Sequence, residues 1–445
     1  MSSDNFFVNN TNPRFTQSTF ECLDVMGGTA EYAGSLVLFT PVQTCISIIL
    51  ALRNDTTIRL YKQSTTAFPD FQIDISALLQ QDRTVNQSIL CDITASHYTT
   101  GLVAACIVLF SIQQNIALTG LDIYIQSPLK QTETESEEEA LAISILKALA
   151  EANQIILTEN ELPMLAHTAL QLLSLHHFPL VNTLASYYVK PGHILPILCQ
   201  PDHVSSTFII PEGLGFAAIN LGPKSNKQST LRGQAYTAAS IGYTMISLYD
   251  GTYPHELDKA RKTGNRENLL YNGYLANITP NEFDNRYKWL PKHVQGSTFL
   301  EKSGILIDPA LSVFPDISYP VFQATVYPIY ENIRAQYFSL LLQHMPETDE
   351  VERRQKSLQQ LGNWMFQSHT SYAALGLSNP VADRLIQLVQ QHLGKGVFGA
   401  RLTNSNTENN VCILWEGQQG YDTIQAIYQM ISQEEQSPIS LHFNR

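Results

Sequence analysis

Apolar residues recur with a helical period over Ala140–Ala152, where Leu141, Ile145, Leu149 and Ala152 share one face and predict an amphipathic helix. The same spacing predicts helices over Leu165–Leu175, from about Arg232 to Leu248, along Ile329, Ile333, Tyr337 and Leu341, and over Val381–Leu393. Thr99–Gln113 is apolar on all sides, which predicts a buried helix. The stretch from Leu36 to Arg53 is rich in Val, Ile, Leu and Thr but is broken by Pro41, so it predicts two strands around a bend. Short strands are predicted at Thr57–Lys62, Leu121–Ile125, Phe216–Asn220 and Val411–Trp415. Residues 1–18 read as a loose polar tail, 223–230 as a polar loop and 250–290 as irregular. Helices and strands alternate without strict βαβ order, which argues for an α+β chain. The cleanest seam lies near 205–230, giving a tail (1–18), an N-terminal domain (19–215) and a C-terminal domain (216–445).

Composition narrows the function classes. A chain of 445 residues accommodates two or three domains, and 44% apolar residues supply a large core, excluding a mainly disordered chain. Lys and Arg number 27 against 40 Asp and Glu, a net charge of −13, and no Lys/Arg run exceeds two, so nucleic acid is excluded as a partner class. The longest apolar stretch, Leu102–Ile112, is too short to span a bilayer, so no membrane partner is expected. The polar N-terminus lacks a secretory pattern, and six scattered cysteines without CxxC spacing read as reduced. Together these point to a cytoplasmic protein, with signal-less export left open.

The residues alone offer little recognisable chemistry. HExxH, Walker-type, GxGxxG and GxSxG patterns are missing, and no metal site is expected. His176 and His177 are adjacent, so on a helix they point about 100° apart and do not share one metal. Lys224, Lys227 and Arg232 form a basic loop, read as a solvated loop with an anion site as the alternative. The unusual segment is TETESEEEALAISILKAL (132–149), which sets Glu133, Glu135, Glu137, Glu138 and Glu139 at a helix start. Structurally, Ser136 with Glu139 fits a capping box, and acids there suit the helix dipole. Functionally, a helix N-terminus is a natural phosphate site, which these carboxylates would fill and repel.

The segment LDVMGGTAEYAGSLVL (23–38) resembles the first signature of the GHMP small-molecule kinases, and within them the sugar 1-kinases of the arabinokinase and galactokinase type. LCQPDHV (198–204), the Tyr236–Met245 helix, YLANITPNEF (274–283), LPKHVQGSTFL (290–300), YPIYENIR (327–334), LGNWMFQSHTSYAALGL (361–377), DRLIQLVQ (383–390), GVFGARLT (396–403) and VCILW (411–415) extend it in order along nearly the whole chain. The resemblance implies two α+β domains, an unusual left-handed βαβ in the first, and sugar and ATP in the cleft between them.

It also implies a degenerate site. The first signature's Gly-Arg is Glu21-Cys22, so the cation is gone, while Glu31 replaces the acid that holds the sugar hydroxyls. The glycine- and serine-rich phosphate loop falls at Glu133, Glu135, Ser136, Glu137 and Glu138, with Glu135 near the place of the magnesium-binding serine. The catalytic aspartate falls at Asn182, which does not take a proton from a sugar hydroxyl. The third, glycine-rich signature becomes Asn404, Ser405, Asn406 and following polar residues, while Tyr236, Ser368 and His369 are kept. The expectation is therefore a catalytically silent homologue without a cofactor, binding a monosaccharide through Glu31, Asn182 and Tyr236 or regulating through a protein partner. One alternative is an acidic-rim interaction scaffold. The other is an active Mg-ATP-dependent sugar 1-kinase in which Glu135 and Glu138 hold magnesium.

Overall fold

A computed structural model describes residues 3–63, 71–117, 119–126, 137–173, 179–223, 225–403, 408–435 and 439–444. The chain divides into two units, the first built from residues 1–22 and 41–191 and the second from 23–40 and 192–444. The long strands β1 (Arg14–Met26) and β2 (Leu36–Leu52) pair with each other, and each contributes residues to both units.

Unit 1 opens with α1 (Ser3–Phe6) and continues after β2 through β3 (Thr57–Gln63), β4 (Phe71–Asp74), α2 (Gln87–Ser96), α3 (Tyr98–Gln114), β5 (Leu121–Gln126), α4 (Glu137–Ala152), α5 (Glu161–Leu173) and α6 (Leu180–Tyr188). Its strands run in the order β4-β3-β5-β2, with β3 and β5 parallel and the outer pairings antiparallel. The sheet side chains Ile48, Leu50, Leu60 and Ile123 join Leu102, Val103, Ile143 and Leu146 of α3 and α4 in one buried cluster. α3 is apolar all round because it lies inside this cluster, with Leu102 to Val108 and Phe110 all buried.

Unit 2 contains β6 (His193–Leu198), β7 (His203–Val204), β8 (Phe208–Ile209), β9 (Leu214–Pro223), α7 (Asn226–Tyr249), α8 (Pro254–Thr263), α9 (Pro280–Arg286), β10 (Val294–Gln295), α10 (Gly296–Lys302), β11 (Ser318–Tyr319), α11 (Val321–Gln343), α12 (Val351–Ala373), α13 (Pro380–Gln391), β12 (Val397–Leu402), β13 (Glu408–Glu416), α14 (Gly417–Glu434) and β14 (Ser440–Phe443). A four-stranded antiparallel sheet runs β12-β13-β9-β14. α12 sits against β12 so closely that a Cβ at Gly362 would lie 1.8 Å from the Phe398 carbonyl oxygen. Only glycine permits that approach. The α+β class read from the sequence is the class observed.

Several expectations need correction. Of the tail expected at 1–18, the described residues 3–18 are not loose: Phe6 and Phe7 are buried with Ala51 and Tyr124, and Asn10 donates to the Leu52 carbonyl and to Asp122. Leu36–Leu52 is one strand rather than two: Pro41 falls between the ladder to β6 (36–39) and the ladder to β5 (47–52), and takes part in neither. The polar loop at 223–230 ends early, since Ser225 and Gln228 form a capping box that starts α7 at Asn226. The irregular 250–290 stretch holds α8 and α9, each opened by a proline at its start, with Thr279 capping α9 through the Glu282 N–H. The units change over at Pro191/Gly192, not near 215, and unit 2 also takes residues 23–40. None of the six cysteines forms a disulfide, and no helix among the described residues is long and apolar enough to cross a membrane.

Candidate functional site

In unit 2, the turn after β1 is set by Gly27 and Gly34, both left-handed, which bracket a six-residue 3-10 helix (Gly28–Ala33). The Gly28 N–H donates to Asp24 Oδ1 at 3.2 Å, and a Cβ at Gly27 would meet the Leu36 carbonyl oxygen at 2.1 Å. This turn delivers Glu31 into the interior. Tyr236, on α7, donates a short hydrogen bond to Glu31 Oε1. One helical turn earlier, Arg232 donates from Nε to Tyr236 Oη at 2.9 Å and sets Nη2 3.7 Å from Glu31 Oε1. Tyr32 stacks over Tyr236 with ring centroids 4.1 Å apart. All of Glu31, Arg232 and Tyr236 are buried. Burial, with the Glu31 charge and hydrogen bond adding to it, pushes the Tyr236 phenol well above its ordinary value, so it stays a donor. Burial opposes the Arg232 charge, but Tyr236 and Glu31 more than offset it and hold the guanidinium protonated.

A second buried arrangement lies in the same unit. Arg401 on β12 pairs with Asp24 Oδ2 at 2.9 Å and donates from Nε to Ser368 Oγ at 3.1 Å. Ser368 donates to Glu331 Oε1 at 2.6 Å, and Glu331 Oε2 accepts from Arg334 Nε at 2.9 Å. These groups form a continuous row of alternating charge, with Arg401 and Glu331 essentially inaccessible. His369, next to Ser368, bonds Asp383 at 3.0 Å through Nε2, while burial lowers its pKa.

In unit 1, α4 starts at Glu137, and its first turn is made of acids. Each has a partner in its own unit. Lys62 Nζ pairs with Glu137 Oε1 at 2.9 Å, and the Tyr98 hydroxyl donates to Glu138 Oε2 at 3.0 Å. Glu139 is 2% exposed and hydrogen-bonded to Asn182 on α6; burial pushes its carboxyl up to about 7. Its Oε1 has no hydrogen-bond partner among the described residues. One turn further along α6, Ser186 Oγ lies 3.6 Å from Cys22 Sγ, both buried. Negative side chains thus sit at the positive end of the helix dipole, supplied by the chain itself.

The structure places the sequence-predicted residues unequally. Glu31 and Tyr236 come together in unit 2, whereas Asn182 belongs to unit 1 and is engaged by Glu139. Arg232 is no part of a solvated basic loop, because it is buried in the Glu31–Tyr236 cluster. Glu137 and Glu139 are buried, so these two do not form an exposed acidic rim. Glu133, Glu135, Ser136, His176, His177, Lys224, Asn404, Ser405 and Asn406 lie outside the described residues. Among the described residues no group of three metal-ligating side chains is found. Sequence reasoning gave Glu139 a capping role and Arg232 a place in a basic loop, and missed the buried pairings of both as well as the Asp24–Arg401 pair. The first two carried a local signal: Glu139 closes the acid run, and Arg232 precedes Tyr236 by four residues on a predicted helix.

No family model matches the chain. L-arabinokinase of Arabidopsis thaliana is 24% identical over 439 residues, a match covering 88% of this chain and 42% of the relative, so the chain spans less than half of that protein's length. Lactococcus lactis galactokinase, solved with galactose, superposes with a TM-score of 0.69 at 13% identity, covering 99% of this chain and 95% of the other. Mevalonate kinase from L. major, solved with R-mevalonate, gives 0.57 at 11% identity and 97% coverage of each. The fold is the α+β, two-sheet fold of the GHMP kinases.

Proposed function

We propose that this chain is a sugar-binding protein on the GHMP-kinase fold whose ATP-dependent phosphoryl transfer has lapsed. The observation that carries the reading is the start of α4. Where the resemblance puts a phosphate loop, Glu137, Glu138 and Glu139 occupy the first turn, and Glu139 bonds the amide that stands in the base's place, Asn182. A positioned base is worth about 10²–10⁴ in rate, and an arginine at a phosphoryl transition state about 10³–10⁵. With Asn182 and Cys22 at those two positions, both contributions are forfeited. A carboxylate about 5 Å from a phosphate charge costs roughly 3 kcal/mol at an effective dielectric of 20, which opposes nucleotide binding. Glu31, Tyr236 and Arg232, by contrast, keep an acceptor, a phenol and a cation in one buried cluster suited to sugar hydroxyls. No cofactor is required by this reading.

The test is isothermal titration of the full chain with Mg-ATP and, separately, with a panel of hexoses and pentoses. No heat from Mg-ATP up to millimolar concentration, with binding of at least one sugar that is weakened in Tyr236→Phe, is the expected result. Submillimolar ATP binding or sugar-dependent ADP release overturns it. One observation favours a second reading, an active Mg-ATP-dependent sugar kinase: Glu139, with its carboxyl near 7, puts an acid beside Asn182 and is suited to accept a proton. Sugar-dependent ADP release that disappears in Glu139→Gln identifies that case.

A further inference from the structure

In unit 2, two cavities of about 620 and 260 Å³, neither lined by Glu31, Arg232 or Tyr236, share Arg334 and Ser371 as a common wall. The larger is lined by side chains of α12 and α13, among them Asn363, Gln367 and Gln390, with Phe366 as an apolar face. Phe322 and Tyr330 of α11 wall the smaller one, where Asp284 of α9 adds a carboxylate.

The lining decides the ligand class. Among the described residues the amide groups of Asn363, Gln367 and Gln390 have no hydrogen-bond partner, and each offers two donors and an acceptor. Arg334 spends Nε and Nη2 on Glu331 and Ser371, which leaves Nη1 for a guest. The charges cancel: Arg334 against Glu331, and Lys288 against Asp284 at 3.4 Å. An anion finds no net positive field here, and a hydrocarbon would strip water from three amides without replacing its bonds. A molecule dense in hydroxyls, neutral, and with an apolar ring face for Phe366 or Tyr330 satisfies both demands. The 620 Å³ lobe also falls within the usual range for small-molecule sites.

We propose that this groove binds a neutral saccharide, as a site separate from the Glu31–Tyr236 cluster and not dependent on the function proposed above. The probes are D-galactose, L-arabinose and maltose at millimolar concentration, observed by saturation-transfer NMR on the full chain. At least one of them is expected to retain its signal in the Glu31→Gln/Tyr236→Phe double variant. That signal should fall about tenfold in Asn363→Ala/Gln367→Ala, whose exposed positions leave the thermal midpoint unchanged, and again in Gln390→Ala. The proposal is overturned if none of the three sugars gives a signal, if every signal vanishes with the Glu31 and Tyr236 substitutions, or if the groove variants leave all signals intact.

Discussion

Replacing Glu139 by glutamine should make the protein more stable at neutral and alkaline pH, and the gain should vanish in acid. The side chain is 2% exposed, and its carboxyl moves from an ordinary 4.5 to about 7 in the fold. The sign follows from proton counting. Between these two values the folded state holds a proton that the unfolded state has released, so stability falls as pH rises through that window and levels off above it. At 1.36 kcal/mol per pH unit the full effect is about 3 kcal/mol, carried by the cost of a buried charge. Glutamine keeps the shape and the bond to Asn182 but has nothing to ionise. Urea unfolding of wild type and Glu139→Gln at pH 5, 6, 7 and 8 gives the difference from the shift in midpoint and the slope m. The two proteins should nearly coincide at pH 5 and separate by up to about 3 kcal/mol at pH 8, with the variant ahead. Parallel curves across that range would refute the reasoning, because they would mean that Glu139 is ionised and solvated at the helix start.

Two further predictions concern unit 2. Arg401→Met strands Asp24 without its counter-charge and should cost about 3–5 kcal/mol, while the Asp24→Asn/Arg401→Met pair recovers most of it; a double-mutant cycle in urea measures the coupling, and additive losses would refute it. Gly27→Ala combines a positive φ of 91° with a Cβ 2.1 Å from the Leu36 carbonyl oxygen, so it should lower the thermal midpoint well beyond Gly192→Ala, where φ is 72° and nothing lies within 4 Å.

The long helices and central strands were legible because their cores impose a period on the sequence: Ala140–Ala152 and Val381–Leu393 each appear within three residues of the observed bounds. Shorter elements escaped for local reasons. α8 and α9 are polar, with few buried residues, and only Pro254, Thr279 and Pro280 marked their starts. Phe6 and Phe7 were hidden among polar neighbours, since what buries them is Tyr124, far along the chain. In the candidate site, the resemblance located Glu31 and Tyr236, but no sequence spacing announces that Asp24 meets Arg401 or that Glu139 meets Asn182. Such pairings are products of tertiary structure, and a linear pattern holds no trace of them.

The row from Asp24 through Arg401 to Arg334 also has a temporal side. Its first anion, Asp24, belongs to a short early excursion of the chain, residues 23–40, whereas Arg401 lies 377 residues later. At synthesis rates of about 5–20 residues per second, the first-made member waits roughly 20–75 s for its counterpart to be translated. During that interval the sequence between Leu23 and Thr40 has left the ribosome without the partner that neutralises it. A fragment beginning at Gly192 would therefore emerge with a cation lacking the carboxylate it is built to meet.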